Sequence, residues 1–374
     1  MPSWLKEGRG SLCGANVSLL LREMGITKPL LVAGERTKNV FFARTGMRLP
    51  VFDAFHPNPD LQDCVAGAAL YQEKGCDGLI SVGGGSAMDT AKGIKALLMT
   101  DIAHVRANQL PSEGNVPHLA IPGTAGTGAE TTAVAVLYED GQKLSVDHLA
   151  LLPDGVLLDG SLLDTLPEYH RKSCAMDALA QGIESWWAKK ATPGSRIHAE
   201  RAIRGVLDNL TAYLQGDRKA QDEMLHAAYE SGVAILTTRT TAAHAMSYQI
   251  TKKLGAAHGH ACMLTLPHLW AHLAAQAEYQ PMLTELSRLL GGEKPMDGAI
   301  LLKGLLAVLE LDKIPMPDDA TLDMLAASVN PERLGNHPEA LTTAQLRAIY
   351  VQAFTPMTDT ERAEAIAAWE QYGK

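Results

Sequence analysis

The sequence predicts an α/β domain over residues 1–165 followed by an all-α domain over residues 166–374. Three observations carry that division. Short apolar runs of strand length alternate with helical patterns through the first part. A run of three glycines sits where one such strand gives way to a helix. From about Pro167 onward, long amphipathic patterns rich in Ala, Leu and Met replace the β-branched runs. Strands alternating with helices predict a mainly parallel, covered sheet.

The elements follow in order. Residues 16–24 show helical spacing, and residues 29–33 (PLLVA) read as a buried strand. A helix over 61–74, a strand over 78–82 (GLISV) and a helix over 87–99 come next. Residues 118–122 (HLAIP) and 156–159 (VLLD) read as further strands, and 131–138, rich in Thr and Val, as an additional one. The domains join within residues 163–169. Helices are expected over 171–189, 197–214 and 220–236, and surface loops over 291–297 and 313–319. The chain shows no repeat and no low-complexity tract.

Composition narrows the function. The chain has 374 residues, is 46% hydrophobic and carries a formal net charge of −9. It has no basic block interleaved with aromatics, which argues against nucleic acid as a partner. Its five cysteines are scattered, odd in number and lack a CxxC, which fits a reducing compartment. No uncharged apolar stretch approaches the roughly 20 residues that span a bilayer, and no signal-peptide core follows the start. A soluble cytoplasmic protein, with no membrane partner, is the expectation.

Gly83-Gly84-Gly85-Ser86, with Asp89 and Lys92 behind it, lies at a strand-to-helix turn. Without side chains the backbone there approaches a phosphate, and the unpaired first N–H groups of the helix face an anion. The stretch departs from the GxGxxG fingerprint, so a standard dinucleotide fold is not expected in detail. A second loop of small and hydroxylated residues, 122–132 (PGTAGTGAETT), follows another strand. Two such loops point to a dinucleotide at a sheet crevice. In the helical part, Asp177 and Gln181 are four apart and share a helix face. His244 and His258 are fourteen apart and flank Gly255. Together they offer oxygen and imidazole donors to one Fe²⁺ or Zn²⁺ ion. On spacing alone a solvated Asp and satisfied core histidines are the commoner outcome.

Four stretches, GGGSAMDTAK, PGTAGTGAE, DALAQGIE (177–184) and HAMSYQITKKLGAAHGHA (244–261), resemble the iron-containing (group III) alcohol dehydrogenase family in order and spacing. The early GRG (8–10) and PNP (57–59) fall where that family has them. The resemblance extends to glycerol dehydrogenases and to the dehydroquinate synthase-like architecture. It implies an N-terminal α/β dinucleotide-binding domain, an all-helical metal and substrate domain, and an active site in the cleft between. It implies Asp177, Gln181, His244 and His258 as metal ligands. It implies Gly34, Asn58, Gly84, Gly85, Ser86, Asp89, Thr124, Thr127 and Lys143 at the cofactor, NAD(H) or NADP(H). Fe²⁺ or Zn²⁺ is the implied metal, with Mn²⁺ as a further candidate. Relatives are commonly dimers or larger, so a homo-oligomer is expected.

Three departures stand out. Gln181 replaces a His, and is a neutral, weaker ligand. Tyr248 replaces a His in the proton path, so Tyr248, or His260 two residues after His258, is the expected catalytic relay. Gly34 stands where NAD-preferring relatives carry Asp; Arg36 and Lys38 nearby favour NADP, while Glu35 favours NAD. The reaction implied is reversible metal-dependent reduction of a small aldehyde to a primary alcohol. Gln181 with TTAAHAMSY and HGHA resembles most the reductases of phosphonoacetaldehyde and sulfoacetaldehyde. Arg239, Lys252 and Lys253 are the cations expected to hold such an anion. An aliphatic alcohol or diol dehydrogenase of butanol, lactaldehyde or glycerol type is the alternative. A dehydroquinate-synthase-like cyclase ranks below both, because the helical part lacks the density of basic and amide groups it needs.

Overall fold

The computed structural model describes residues 6–112 and 116–372, so the first five residues of the expected α/β domain lie outside it. The chain divides into two compact units, Met1–Thr165 and Leu166–Lys374.

The first unit runs β1 (Lys6–Arg9), α1 (Gly14–Glu23), β2 (Pro29–Ala33), α2 (Glu35–Thr45), β3 (Val51–Phe52), α3 (Leu61–Lys74), β4 (Gly78–Gly83), α4 (Gly85–Met99), α5 (Ile102–Arg106), β5 (His118–Pro122), β6 (Val134–Glu139), β7 (Gln142–Asp147) and β8 (Gly155–Leu158). Six strands form one parallel sheet in the order β1-β8-β5-β4-β2-β3. Alternate residues serve opposite cores: Leu30, Val32 and Leu79 on one face, Leu31, Ala33, Ile80 and Val82 on the other. Strands β2, β4, β5 and β8 are buried along their whole length. Only a sheet covered on both faces allows that, and it explains why these four read from the sequence as unbroken apolar runs. Each buried Leu or Val side chain contributes about 1.5–3 kcal/mol.

The sheet order places the ligand crevice. From β2 the chain moves outward to β3, then returns to place β4 on the other side of β2. The order reverses there, and in open α/β sheets ligands bind outside the carboxyl ends of strands at such a point. The strand expected over 131–138 starts later, at Val134, because Ala129–Thr131 form a 3-10 turn. It pairs with β7 through Asp140-Gly141, whose φ values of 49° and 72° make the two-residue turn that suits twisted hairpins.

The second unit is helical: α6 (Glu168–Trp187), α7 (Pro193–Leu214), α8 (Arg218–Thr238), α9 (Ala242–Gln249), α10 (His258–Ala274), α11 (Gln280–Leu290), α12 (Asp297–Val308), α13 (Asp319–Ala327), α14 (Pro331–Leu334), α15 (Thr343–Phe354) and α16 (Asp359–Tyr372). Helix α6 is buried without a break from Ala175 to Trp187 and packs against α7, α8 and α10. Gly259 sets its approach to α10. A Cβ there would fall 2.0 Å from the Ser173 carbonyl oxygen and 2.6 Å from the Asp177 nitrogen. Glycine therefore lets the start of α10 lie directly on α6 beside Asp177. No helix among the described residues is long and apolar enough to cross a membrane.

Candidate functional site

The first unit gathers a cradle at the carboxyl ends of its strands. Gly34 follows β2, Asn58 follows β3, Gly84 follows β4, and Thr124 and Thr127 follow β5. Gly83 has a φ of 147°, a conformation that disfavours any side chain. Its carbonyl accepts from the Gly123 N–H at 2.7 Å, which ties the two glycine loops together. Thr124 covers Gly84 and Thr127 covers Gly85: added Cβ atoms would meet their methyls at 3.1 and 3.5 Å. No side chain caps α4 and none in its first turn is acidic, so its leading N–H groups suit an anion. The Ser86 hydroxyl donates to the Pro57 carbonyl and brings the exposed Asn58 loop alongside. That loop is held from behind by Asp63, which accepts from the His56 and Asp60 N–H groups at 3.0 Å each.

Charge lies beneath the cradle. Lys92 is fully buried, and its ammonium donates to the Ala129 and Val134 carbonyls and to Thr132 Oγ1 at 2.7–3.1 Å. It thus pins the end of the second loop to α4. Burial lowers Lys92 to about 8 and raises Glu130 to about 7. Burial likewise lifts Asp89 to about 6, against the pull of Lys92 and Lys143. Lys143 lies on the exposed strand β7, opposite Tyr138.

The second unit holds a compact donor cluster. Asp177 Oδ1 lies 3.2 Å from His244 Nε2 and 4.0 Å from His258 Nε2. Glu184, two turns beyond Asp177 on α6, accepts from His244 Nδ1–H and sets its tautomer. Its other oxygen accepts from Thr241 N–H, Thr241 O–H and Ala243 N–H at 3.2, 2.5 and 2.8 Å. One buried carboxylate therefore caps α9 and aims its histidine. Ser247 Oγ donates to the His244 carbonyl at 2.8 Å, so it accepts from His258 Nδ1–H at 3.2 Å. Both Nε2 lone pairs consequently face Asp177. Cys262, one helical turn after His258, joins them, and the donor atoms of Asp177, His244, His258 and Cys262 all lie within 4.8 Å of one another. Asp177, His244 and Cys262 are buried, whereas the His258 side chain is 37% accessible, so the cluster opens on that side.

Without an ion to hold, both histidines are raised, against the pull of burial, by Cys262 and the carboxylates around them, His258 to about 9. In that protonated state they outweigh burial and hold Asp177 below its ordinary range. An ion would displace those protons and leave the Nε2 lone pairs free to bind it. Glu184 behaves alike through His244. The Cys262 thiol, which burial would raise, is drawn down to about 7 by the two imidazoles. A divalent ion fits this donor set: two imidazoles with fixed tautomers, a carboxylate and a thiol, with a solvent-facing side.

The remaining expected residues divide. Gln181 is buried beside the cluster, its amide 3.3 Å from Asp177 Oδ1 and 2.8 Å from Ser231 Oγ, whose own proton is donated to the Ala228 carbonyl at 2.7 Å. Tyr248 stacks on His258, with ring centroids 6.0 Å apart and planes within 2°. His260 departs from the relay expected of it. Its Nε2–H donates to the Leu311 carbonyl at 2.8 Å, and its Nδ1 accepts from Tyr169 at 3.1 Å. Both nitrogens are spent on framing α10. Arg239 sits at φ 61° between α8 and α9 and donates to the Leu236 carbonyl at 3.3 Å. Lys252 and Lys253 are exposed on a single π-helical turn, Ile250–Leu254, which joins α9 to the loop before His258. Sequence reasoning passed over Glu184 and Cys262. Each had a signal: Glu184 lies seven after Asp177 and Cys262 four after His258, both on a ligand's own helix face.

Comparisons with known proteins bear on both units. Residues 3–160 match the family model described as iron-containing alcohol dehydrogenase, and residues 172–354 match its C-terminal counterpart. An NAD-dependent methanol dehydrogenase of Bacillus methanolicus is 30% identical over 75% of this chain and 77% of its own length. A phosphonoacetaldehyde reductase of Streptomyces viridochromogenes is 35% identical over 57% of this chain; the match spans 58% of that reductase's length. The crystal structure of a sulfoacetaldehyde reductase from Bifidobacterium kashiwanohense, in complex with NAD⁺, superposes with a TM-score of 0.85 at 26% identity. It covers 95% of this chain and 97% of that one. The chain belongs to the iron-containing alcohol dehydrogenase family.

Proposed function

We propose that this member of the iron-containing alcohol dehydrogenase family reversibly reduces a small aldehyde to a primary alcohol with NAD(P)H at a divalent metal. We propose an anionic two-carbon aldehyde, sulfoacetaldehyde or phosphonoacetaldehyde, as its substrate. The observation that carries the reaction class is the convergence of Asp177 with two histidines whose Nε2 lone pairs are aimed by Glu184 and Ser247.

A bound Fe²⁺, Zn²⁺ or Mn²⁺ polarises a carbonyl, and bound NAD(P)H supplies hydride to its carbon. The chain's residues do the rest. Asp177, His244 and His258 hold the ion, with Gln181 alongside. Tyr248, whose ring lies parallel to that of His258, is the residue we assign to delivery of the substrate proton. Gly84, Gly85, Ser86, Thr124 and Thr127 cradle the pyrophosphate, and Asn58, Asp89 and Lys143 complete the nucleotide site. Beyond β2, Lys38 is held between Glu35 at 2.5 Å and Asp53 at 2.6 Å, and Arg36 is bonded to the Thr165 carbonyl. The four charges beside Gly34 balance, and the support for NAD(H) is the NAD⁺ bound in the sulfoacetaldehyde reductase structure.

The anionic substrate is supported by the likeness to the phosphonoacetaldehyde and sulfoacetaldehyde reductases. Arg239, Lys252 and Lys253, at the two ends of the segment that carries His244, supply the cations. The test is oxidation of NADH and NADPH with sulfoacetaldehyde, phosphonoacetaldehyde, propanal and glycolaldehyde, with Fe²⁺, Zn²⁺ or Mn²⁺ added. The expected outcome is fastest turnover of an anionic aldehyde with NADH, and an Arg239→Ala variant that raises KM for it but not for propanal. Faster turnover of propanal or glycolaldehyde returns the alkanol or diol reading. No turnover under any metal overturns the oxidoreductase.

A further inference from the structure

We propose that Cys262 is a protein ligand of the metal, joining Asp177, His244 and His258. The inference rests on the metal site described above and concerns which atoms complete it.

The observation that carries it is the position of the thiol. Cys262 Sγ lies 4.0 Å from His258 Nε2, within the same 4.8 Å cluster as Asp177 and His244. A tetrahedral ion with bonds of about 2.0–2.1 Å to N and O and about 2.3 Å to S needs its ligands roughly 3.3–3.6 Å apart. The observed 3.2 and 4.0 Å separations lie within a few tenths of an ångström of that, and the widest pairs of the cluster, within 4.8 Å, close by up to about 1.2 Å on binding.

The local sequence explains why a cysteine serves here. His258 and Cys262 are four apart at the start of α10, so they project from one face. Gly259 lets that face lie against Asp177. Sulfur forms a longer bond than oxygen, which suits a donor one turn along the helix from His258. On binding, Cys262 gives up its proton to solvent, and thiolate with Asp177 balances the two charges of the ion. The accessible side at His258 leaves room for a further donor, since such ions accept a fifth. A thiolate is soft, so this site selects Zn²⁺ over Fe²⁺ more strongly than a nitrogen and oxygen set does.

The direct test is X-ray absorption on the wild-type chain loaded with Zn²⁺, with optical spectra of the Co²⁺ form. One sulfur scatterer at about 2.3 Å and a thiolate-to-cobalt charge-transfer band are expected. Cys262→Ser and Cys262→Ala are expected to lose the band and to weaken Zn²⁺ binding by roughly tenfold or more. Cys174→Ser, a control cysteine on α6, is expected to keep both. A wild-type ion surrounded by nitrogen and oxygen alone overturns the proposal and leaves the metal site standing. Failure of the wild type to take up any ion overturns the metal reading itself, and with it this inference. The wild-type spectrum decides the matter even if a variant fails to fold.

Discussion

The two candidate sites, one in each unit, are built from opposite materials. In the first unit the ligand-facing groups are backbone: glycines at Gly83 to Gly85, the open N-terminus of α4, and a second loop locked to the first by the Gly123–Gly83 hydrogen bond. In the second unit they are side chains from three helices, α6, α9 and α10, each aimed by a neighbour. A backbone cradle is contiguous in sequence, tolerates change around it, and takes its specificity from what excludes side chains. A side-chain cluster is dispersed and depends on every supporting bond. Damage in the second unit therefore falls on chemistry, and damage in the first on nucleotide affinity and stability.

The largest expected effect tests that contrast. Replacing His258 or Asp177 by Ala should lower kcat by roughly a thousandfold or more, because the several kcal/mol supplied by the ion is lost. Binding of NADH, followed by fluorescence titration, should be unchanged. Loss of nucleotide binding in the same variants would break the separation.

The next concerns stability under the cradle. Burial raises Glu130 from 4.5 to about 7, so its protonated form is the one the fold prefers. That contribution is fully present below pH 4.5 and is lost as pH rises to about 7, amounting to about 3 kcal/mol. Glu130→Gln should reduce the slope measured by denaturant unfolding across the same range, most of all between pH 6 and 7, above the value of about 6 to which Asp89 is raised. An unchanged slope would show Glu130 to be ionised in the fold.

A smaller effect falls on Glu184. Glu184→Gln keeps a hydrogen-bond partner for His244 but loses the charge. Metal affinity should fall roughly 10- to 100-fold, read by competition with a chromophoric chelator. Smallest is Ser86→Ala, which removes the bond to the Pro57 carbonyl. It should raise the KM for NADH a few-fold, consistent with about 1 kcal/mol for one hydrogen bond, and leave metal content untouched.

The same contrast governs what the sequence revealed. Strands at 29–33, 78–82 and 118–122 were readable because a doubly covered sheet demands unbroken apolar runs. Helix α2 was not, since Phe41 is its one fully buried residue among those described and its apolar stripe is too narrow to register. Strand β7 escaped because only Val146 along it is buried, although Asp140-Gly141 was a hairpin signal in plain view. The glycine cradle was legible as a motif. The cluster became legible only through resemblance, since no spacing rule links residue 177 to 244 or 258. Cys262 and Glu184 needed the helix face to be drawn through the ligands already named. His260 was over-read: adjacency in sequence to His258 turns it half a helix away, toward Leu311 and Tyr169.

The central claim is that one divalent ion on the Asp177 cluster is required for hydride-linked turnover and not for nucleotide binding. The most direct measurement is NADH oxidation with sulfoacetaldehyde before and after chelation, with the metal content of the same sample. One ion per chain, loss of turnover on its removal, recovery on adding Zn²⁺ or Fe²⁺ and unchanged NADH binding are the predicted results. Full turnover by chelated, metal-free protein would contradict the account.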